Sequence, residues 1–212
     1  MLTLPRIYPI TDVRLSGLSH AEQVKRLIAG GALLIQLREK HARARDFYEA
    51  AAEAINIARP LGVKIVINDR VDIALALKAD GVHLGQDDMP PEMARSILGN
   101  NAIIGFSTHS LDQARAASLL PIDYMAFGPI FPTKTKDDPD DTVGLDGLHE
   151  VRQAIGDLPI VAIGGINEKN VRVVIDAGAD SAAMIASIVS EPAKIASQMS
   201  KLLQAAESDK SY

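Results

Sequence analysis

Short runs of Ile, Val and Leu alternate along this chain with longer segments in which apolar residues recur at helical spacing. The strand-like runs are Arg6–Thr11, Leu33–Arg38, Lys64–Asn68, Gly81–Leu84, Ile103–Ser107, Tyr124–Gly128, Ile160–Ile163 and Ser181–Ile185. Most are apolar almost throughout, which predicts strands buried on both faces, as in a parallel sheet. Between them, helices are predicted ahead of Gly30–Gly31, where Ser19 precedes AEQVKRLIAGG, and over Arg43–Arg59, Val71–Lys78 and Pro90–Leu98. Ser110–Leu119, Leu145–Ile155, Glu168–Ala177 and Ala193–Ala205 complete the set. Ser19 is a good N-cap, Pro91 a good helix start, and Gly30–Gly31 and Gly178 good stops. Eight strands alternating with eight helices, at about 26 residues per unit, predict a single (β/α)8 TIM barrel. A doubly wound open sheet shares the alternation. The count of eight, and the lack of a Gly-rich turn after the first strand, favour the barrel. One domain is expected over 1–206, followed by a polar C-terminal tail at 207–212.

Composition narrows the function. The 212 residues are 47% hydrophobic and 23% charged, ordinary for a globular domain. Lys plus Arg is 22 against 27 Asp plus Glu, a net charge of -5. That balance offers no electrostatic footprint for nucleic acid, but leaves room for a local basic pocket. Cysteine is absent, which removes disulfides, thiolate metal sites and a Cys nucleophile. With no Trp and 4% aromatics, base-stacking platforms are disfavoured. No apolar run approaches the roughly 20 residues a membrane span needs, and MLTLPRIYPITD does not read as a signal peptide. A cytoplasmic location is the expectation.

In a barrel the chemistry sits at the C-terminal ends of the strands, and polar residues concentrate there. Asp69, Asp87 and Asp88 follow strands three and four; hard oxygen ligands from two neighbouring loops, with substrate phosphate oxygens and water, suit Mg²⁺. Arg38 and Lys40 follow strand two, and Lys134 and Lys136 lie in the loop after strand six. Arg grips phosphate bidentately and Lys serves as a point charge, so cations beside Mg²⁺ point to a diphosphate. Gly164–Gly165 ends strand seven, where barrels often cradle a phosphate on backbone N–H groups, with Ile185–Ser187 as the partner turn. A Cβ there would block the close approach. Two anion sites imply two phosphorylated substrates, or one substrate phosphorylated at both ends. No nucleophile–base triad is legible: Ser107 has no evident Asp–His support, and His83, within a buried strand, reads as structural. Asp12 and Ser110 read as helix caps.

The ordered stretches YPITD (Tyr8–Asp12), QLREK (Gln36–Lys40), INDRVDIAL (Ile67–Leu75), ADGVHLGQDD (Ala79–Asp88), IGFSTHS (Ile104–Ser110), GPIFPTKTK (Gly128–Lys136) and VAIGGI (Val161–Ile166) span nearly the whole chain. Together they resemble the thiamine-phosphate synthase (thiamine-phosphate pyrophosphorylase) family. The resemblance implies a transferase of thiamine biosynthesis. It would join 4-amino-2-methyl-5-(diphosphooxymethyl)pyrimidine to 4-methyl-5-(2-phosphoethyl)thiazole and release diphosphate. It further implies that Gln36, Arg38, Lys40, Asn68, Ser107 and Lys136 hold the pyrimidine diphosphate, with Arg38, Lys40, Ser107 and Lys136 catalytic. Asp69 and Asp88 would bind Mg²⁺, and Thr133, Thr135, Gly165, Ile185 and Ala186 would hold the thiazole phosphate. Where the family commonly has Ser in the strand-eight turn, this chain has Ala186, followed by Ser187. The loop Pro129–Val143, rich in Pro and Asp, is expected to act as a lid. Two other readings stay open: a thiazole tautomerase-like isomerase on the same barrel, and a non-catalytic binding protein for thiamine precursors. The first would not need the diphosphate machinery.

Overall fold

A computed structural model of the chain describes residues 3–133 and 141–207. Eight parallel strands close into a barrel in chain order. They are β1 (Ile7–Thr11), β2 (Leu34–Leu37), β3 (Lys64–Asn68), β4 (Gly81–Leu84), β5 (Ile103–Thr108), β6 (Tyr124–Phe127), β7 (Ile160–Ile163) and β8 (Ser181–Met184). The closing pair is β1 with β8, in the register Ile7↔Ala182, Tyr8↔Ala183, Pro9↔Met184. That pairing distinguishes the barrel from an open sheet. The helices are α1 (Val13–Ser16), α2 (His20–Ala29), α3 (Ala44–Ala58), α4 (Val71–Leu77) and α5 (Pro91–Leu98), then α6 (Leu111–Ala117), α7 (Gly144–Ile155), α8 (Val171–Asp176), α9 (Ala186–Val189) and α10 (Ile195–Glu207). All eight strands fall within a residue or two of the sequence expectation. The single-turn helices α1 and α9 do not register in the sequence, because four residues are too few to show a 3.6-residue period. Helix α8 begins at Val171, later than the expected Glu168.

The strands are buried on both faces, and alternation divides them between two shells. Ile35, Ile65, Ile67, Val82, Ile104 and Met125 pack outward with the helices. Tyr8, Ile10, Leu34, Val66, Ile103, Tyr124 and Val161 fill the lumen. Each fully buried Ile or Leu contributes about 1.5–3 kcal/mol by leaving water. The expected caps are present: Ser19 accepts from the Glu22 N–H at 3.2 Å and Ser110 from the Gln113 N–H at 3.2 Å.

The N-terminal end of the barrel carries a repeated clamp. Asp80, Asp123 and Asp180 directly precede β4, β6 and β8. Their carboxylates accept from the backbone N–H groups of Ile65, Ile104 and Ile160, each at 2.8 Å. Arg95 of α5 reaches Asp123 and the carbonyls of Gly99, Ala102 and Pro121. Arg152 of α7 makes the equivalent set with Asp180, Gly156, Leu158 and Gly178. The Arg–Asp spacing is 28 residues in both. This device leaves the opposite end free to be shaped by function.

Candidate active site

The C-terminal ends of the strands surround a cavity of about 580 Å³, in the range of small-molecule sites. Of the expected residues, Gln36, Arg38, Lys40, Asn68, Asp69, Asp88, Ser107, Thr133, Gly165, Ile185 and Ala186 line it. Lys136 and Thr135, and most of the charged half of the loop expected as a lid, lie outside the described residues.

One side of the mouth gathers charge. Arg38, just beyond β2, donates from Nη1 to Asp12 Oδ2 at 3.1 Å. Asp12 therefore does more than cap: it accepts from the Leu15 N–H through its other oxygen while holding the guanidinium. Lys40 Nζ lies 2.5 Å from Asp69 Oδ2. Asp69 adopts a left-handed φ of 61°, uncommon outside glycine, though Asp tolerates it. Its backbone N–H donates to the His83 carbonyl at 2.8 Å, locking the turn after β3 against β4. Burial pushes the Asp69 carboxyl above its ordinary range, and its hydrogen bond to Asp88 adds to this, against the pull of Lys40. Asp88 in turn accepts from the Gly85 N–H at 2.7 Å.

Two adjoining carboxyls, one of them partly desolvated, form an oxygen donor set that suits a divalent cation sharing further ligands with phosphate. Among the described residues no group of three or more His, Cys, Asp or Glu forms a metal cluster. Two carboxyls leave further positions on such an ion for phosphate oxygens and water. Next to the pair, the Asn68 Nδ2 amide is buried at the end of β3 without a hydrogen-bond partner among the described residues. A buried donor left unmatched is costly, and this one adjoins Asp69 at the cavity wall.

The opposite side is built from backbone. Gly165 has φ 65°, and a Cβ on it would stand 2.6 Å from Phe131 Cβ and 2.8 Å from the Pro132 carbonyl oxygen. Glycine is thus required there by the loop after β6 and by the backbone turn, a different reason from phosphate approach. Ile185 and Ala186 form the turn from β8 into α9.

At His83 and Ser107 the structure corrects one part of the sequence expectation and leaves the absence of a triad standing. His83 Nε2 lies 2.8 Å from Ser107 Oγ, so Ser107 does have a histidine neighbour. The other ring nitrogen faces the Tyr124 hydroxyl at 2.9 Å rather than a carboxylate, so the group is not a Ser–His–Asp triad. His83 lines the cavity along with Tyr8, Tyr124 and Gln86, which the sequence reading did not single out. Only the period-2 alternation from Val82 and Leu84 could have aimed His83 inward. His109, beside them, places Nδ1 2.7 Å from the Gly128 carbonyl oxygen.

The family model for thiamine monophosphate synthase (TMP-TENI) matches residues 7–188. The thiamine-phosphate synthase of Chloroflexus aurantiacus is 48% identical over 185 residues, covering 87% of this chain and 85% of its own. That of Koribacter versatilis is 44% identical over 209 residues, covering 95% and 97%. A solved thiamine phosphate pyrophosphorylase from Pyrococcus furiosus matches with a TM-score of 0.86 at 38% identity, over 95% of each chain.

Proposed function

The chain belongs to the thiamine-phosphate synthase family, and from that premise we propose how its residues divide the work of the reaction. The function is transfer of an aminopyrimidine-methyl group from its diphosphate to the nitrogen of a thiazole phosphate, giving thiamine phosphate and diphosphate. What supports the division is one grouping: Arg38, Lys40 and the unmatched Asn68 amide stand beside the Asp69–Asp88 pair on a single side of the mouth.

Gln36 and the lumen side chains receive the pyrimidine ring. Arg38, Lys40, Asn68 and Ser107 bind the diphosphate, joined by Lys136 from the loop after β6. Asp69 and Asp88 would hold Mg²⁺, which would supply neutralisation of charge on the departing diphosphate. Thr133, Thr135, Gly165 and the Ile185–Ala186 turn hold the thiazole phosphate through hydroxyl and backbone donors. Ala186 then contributes through its backbone, with no hydroxyl required.

The methylene C–O bond breaks and its electron pair leaves with the diphosphate. Arg38, Lys40 and Lys136 stabilise the charge that develops there. The electron-rich aminopyrimidine spreads the positive charge left on its methylene. The lone pair of the thiazole nitrogen then forms the new C–N bond. No enzyme nucleophile is needed; orientation of two rings in a water-poor barrel mouth supplies the remainder. A tautomerase would leave Arg38, Lys40 and the carboxyl pair without a task, which favours the synthase.

The test is diphosphate release from the pyrimidine diphosphate, with and without the thiazole phosphate, across a Mg²⁺ titration. Release with matching thiamine phosphate, dependent on both substrates and Mg²⁺, is expected. Binding of both ligands without turnover would leave a binding protein instead. Among the described residues no helix is long and apolar enough to cross a membrane.

A further inference from the structure

At the floor of the cavity, Tyr8, Tyr124 and His83 join two of the residues assigned to the substrate, Gln36 and Ser107, in a row of lumen side chains. Gln36 Nε2 donates to the Tyr8 hydroxyl at 3.4 Å. The Tyr8 and Tyr124 hydroxyls are 3.1 Å apart. Tyr124 continues to His83 Nδ1 at 2.9 Å, and His83 Nε2 to Ser107 Oγ at 2.8 Å. Gln36 on β2 and Ser107 on β5, both assigned to the pyrimidine diphosphate, are therefore the two ends of one string crossing the barrel.

The string is built into the fold. Tyr8 and Tyr124 are 1% and 0% exposed and meet edge-on, and the His83 and Tyr124 rings stack 17° from parallel. They can do so because position 105 is glycine: a Cβ there would lie 2.1 Å from Tyr124 Cζ and 2.5 Å from His83 Nδ1.

Burial fixes the direction of the protons. A buried hydroxyl proton without an acceptor is costly, and a chain of hydrogen bonds is strongest when every member both accepts and donates. The Tyr8 oxygen accepts from Gln36. Tyr8 then donates to Tyr124, Tyr124 donates to Nδ1 of a neutral His83, and His83 carries its proton on Nε2 and donates it to Ser107. In the opposite direction Tyr8 would accept twice, and its own proton would have no acceptor among its hydrogen bonds.

We propose that Tyr124 and His83 are positioning residues: they hold Ser107 Oγ as an acceptor from His83 Nε2–H, so that the Ser107 hydroxyl turns its own proton toward the substrate diphosphate. This rests on the reading of Ser107 as a diphosphate contact. Neither positioning residue reacts; together they choose which way one hydroxyl points.

The experiment is long-range ¹H–¹⁵N NMR of the full chain labelled in its histidines, with His83 assigned by its loss in His83→Gln. The expected signal is the Nε2–H tautomer. Tyr124→Phe should remove the donor to Nδ1, mix the two tautomers and lower kcat/KM for the pyrimidine diphosphate about tenfold. KM for the thiazole phosphate should change less than twofold. His83→Gln, whose amide nitrogen can stand in for Nε2–H, should retain more activity than His83→Leu. A wild-type Nδ1–H tautomer would overturn the proposal even if every variant failed to fold. So would a Tyr124→Phe chain with unchanged tautomer and kcat/KM, equal losses for both substrates, or no difference between His83→Gln and His83→Leu. The tautomer is read without substrate. A wild-type chain that shows Nε2–H but forms no thiamine phosphate therefore overturns the function, and with it the role of Ser107, but not the direction of the string.

Discussion

Asp69 illustrates how much one residue does in this site. It sits at φ 61°, meets Lys40 and Asp88, and anchors its turn to the His83 carbonyl. Asn tolerates the left-handed backbone nearly as well as Asp. Asp69→Asn should therefore keep the fold, with a Tm within about 3 °C, while turnover falls about a hundredfold or more through loss of the charge proposed to hold Mg²⁺. Thermal melts and diphosphate release check both halves. Asp12 has two tasks that can be separated in the same way. Asp12→Asn retains an acceptor for the Leu15 N–H but removes the charge facing Arg38, so KM for the pyrimidine diphosphate should rise with little change in Tm. Asp12→Ala should also lose the cap, worth about 1 kcal/mol. Similar melts for the two variants would show that the cap contributes nothing. His20 carries a pH dependence. It is buried at the start of α2, with Nδ1 2.8 Å from Thr11 Oγ1, and burial holds its pKa below the ordinary value. The unfolded chain takes up that proton more readily, so this contribution is complete above about pH 6.5 and is lost as pH falls. His20→Leu should flatten the fall in Tm between pH 7 and 5.

The βα units show which end of the barrel serves stability. Arg95 and Arg152 each tie a helix to three carbonyls and to an aspartate that also holds a strand N–H. Arg152→Ala would strand several part-buried carbonyls and uncouple α7 from β8. A loss of about 2 kcal/mol is expected, lowering Tm by roughly 4–8 °C. Its kcat and both KM values should stay unchanged, because the clamp lies at the end opposite the cavity. Gly165→Val tests the other end. The new side chain would collide with Phe131 and Pro132 and occupy a left-handed backbone that Val disfavours. The loop after β6 should be displaced, and isothermal titration should show thiazole phosphate binding weakened more than pyrimidine diphosphate binding. Equal losses would mean that the two sides of the mouth are not separate subsites.

At the scale of the whole barrel, the lumen couples chemistry to stability. Burial raises Tyr8 to about 12 and pushes Tyr124 well above its ordinary value. A folded state that keeps both phenols protonated is favoured most below pH 10, where the unfolded chain also binds those protons. That advantage is lost as pH rises through 10 to 12. Urea melts of wild type and Tyr8→Phe should diverge in slope over that window, with the variant losing less stability. With His20 on the acid side, the chain should be most stable between about pH 7 and 10.

The eight apolar runs and the caps Asp12, Ser19 and Ser110 are local signals, and they determine strands, helices and their order without reference to anything distant. The motifs from YPITD to VAIGGI likewise carried the family and most of the residues now found around one cavity. Three things came only from closure of the barrel. His83 reads as a core histidine because its neighbours Val82 and Leu84 are apolar. It faces the cavity because β4 presents alternate residues to the lumen, opposite Gly105 and Tyr124. Gly165 reads as a phosphate contact, yet the loop after β6, more than thirty residues earlier in the chain, is what excludes a side chain there. The Arg95–Asp123 and Arg152–Asp180 clamps span 28 residues each, beyond any helical or strand period. Periodicity reports which face of an element is apolar; which groups meet across a lumen depends on register and closure, and these exist only once the chain has returned β8 to β1.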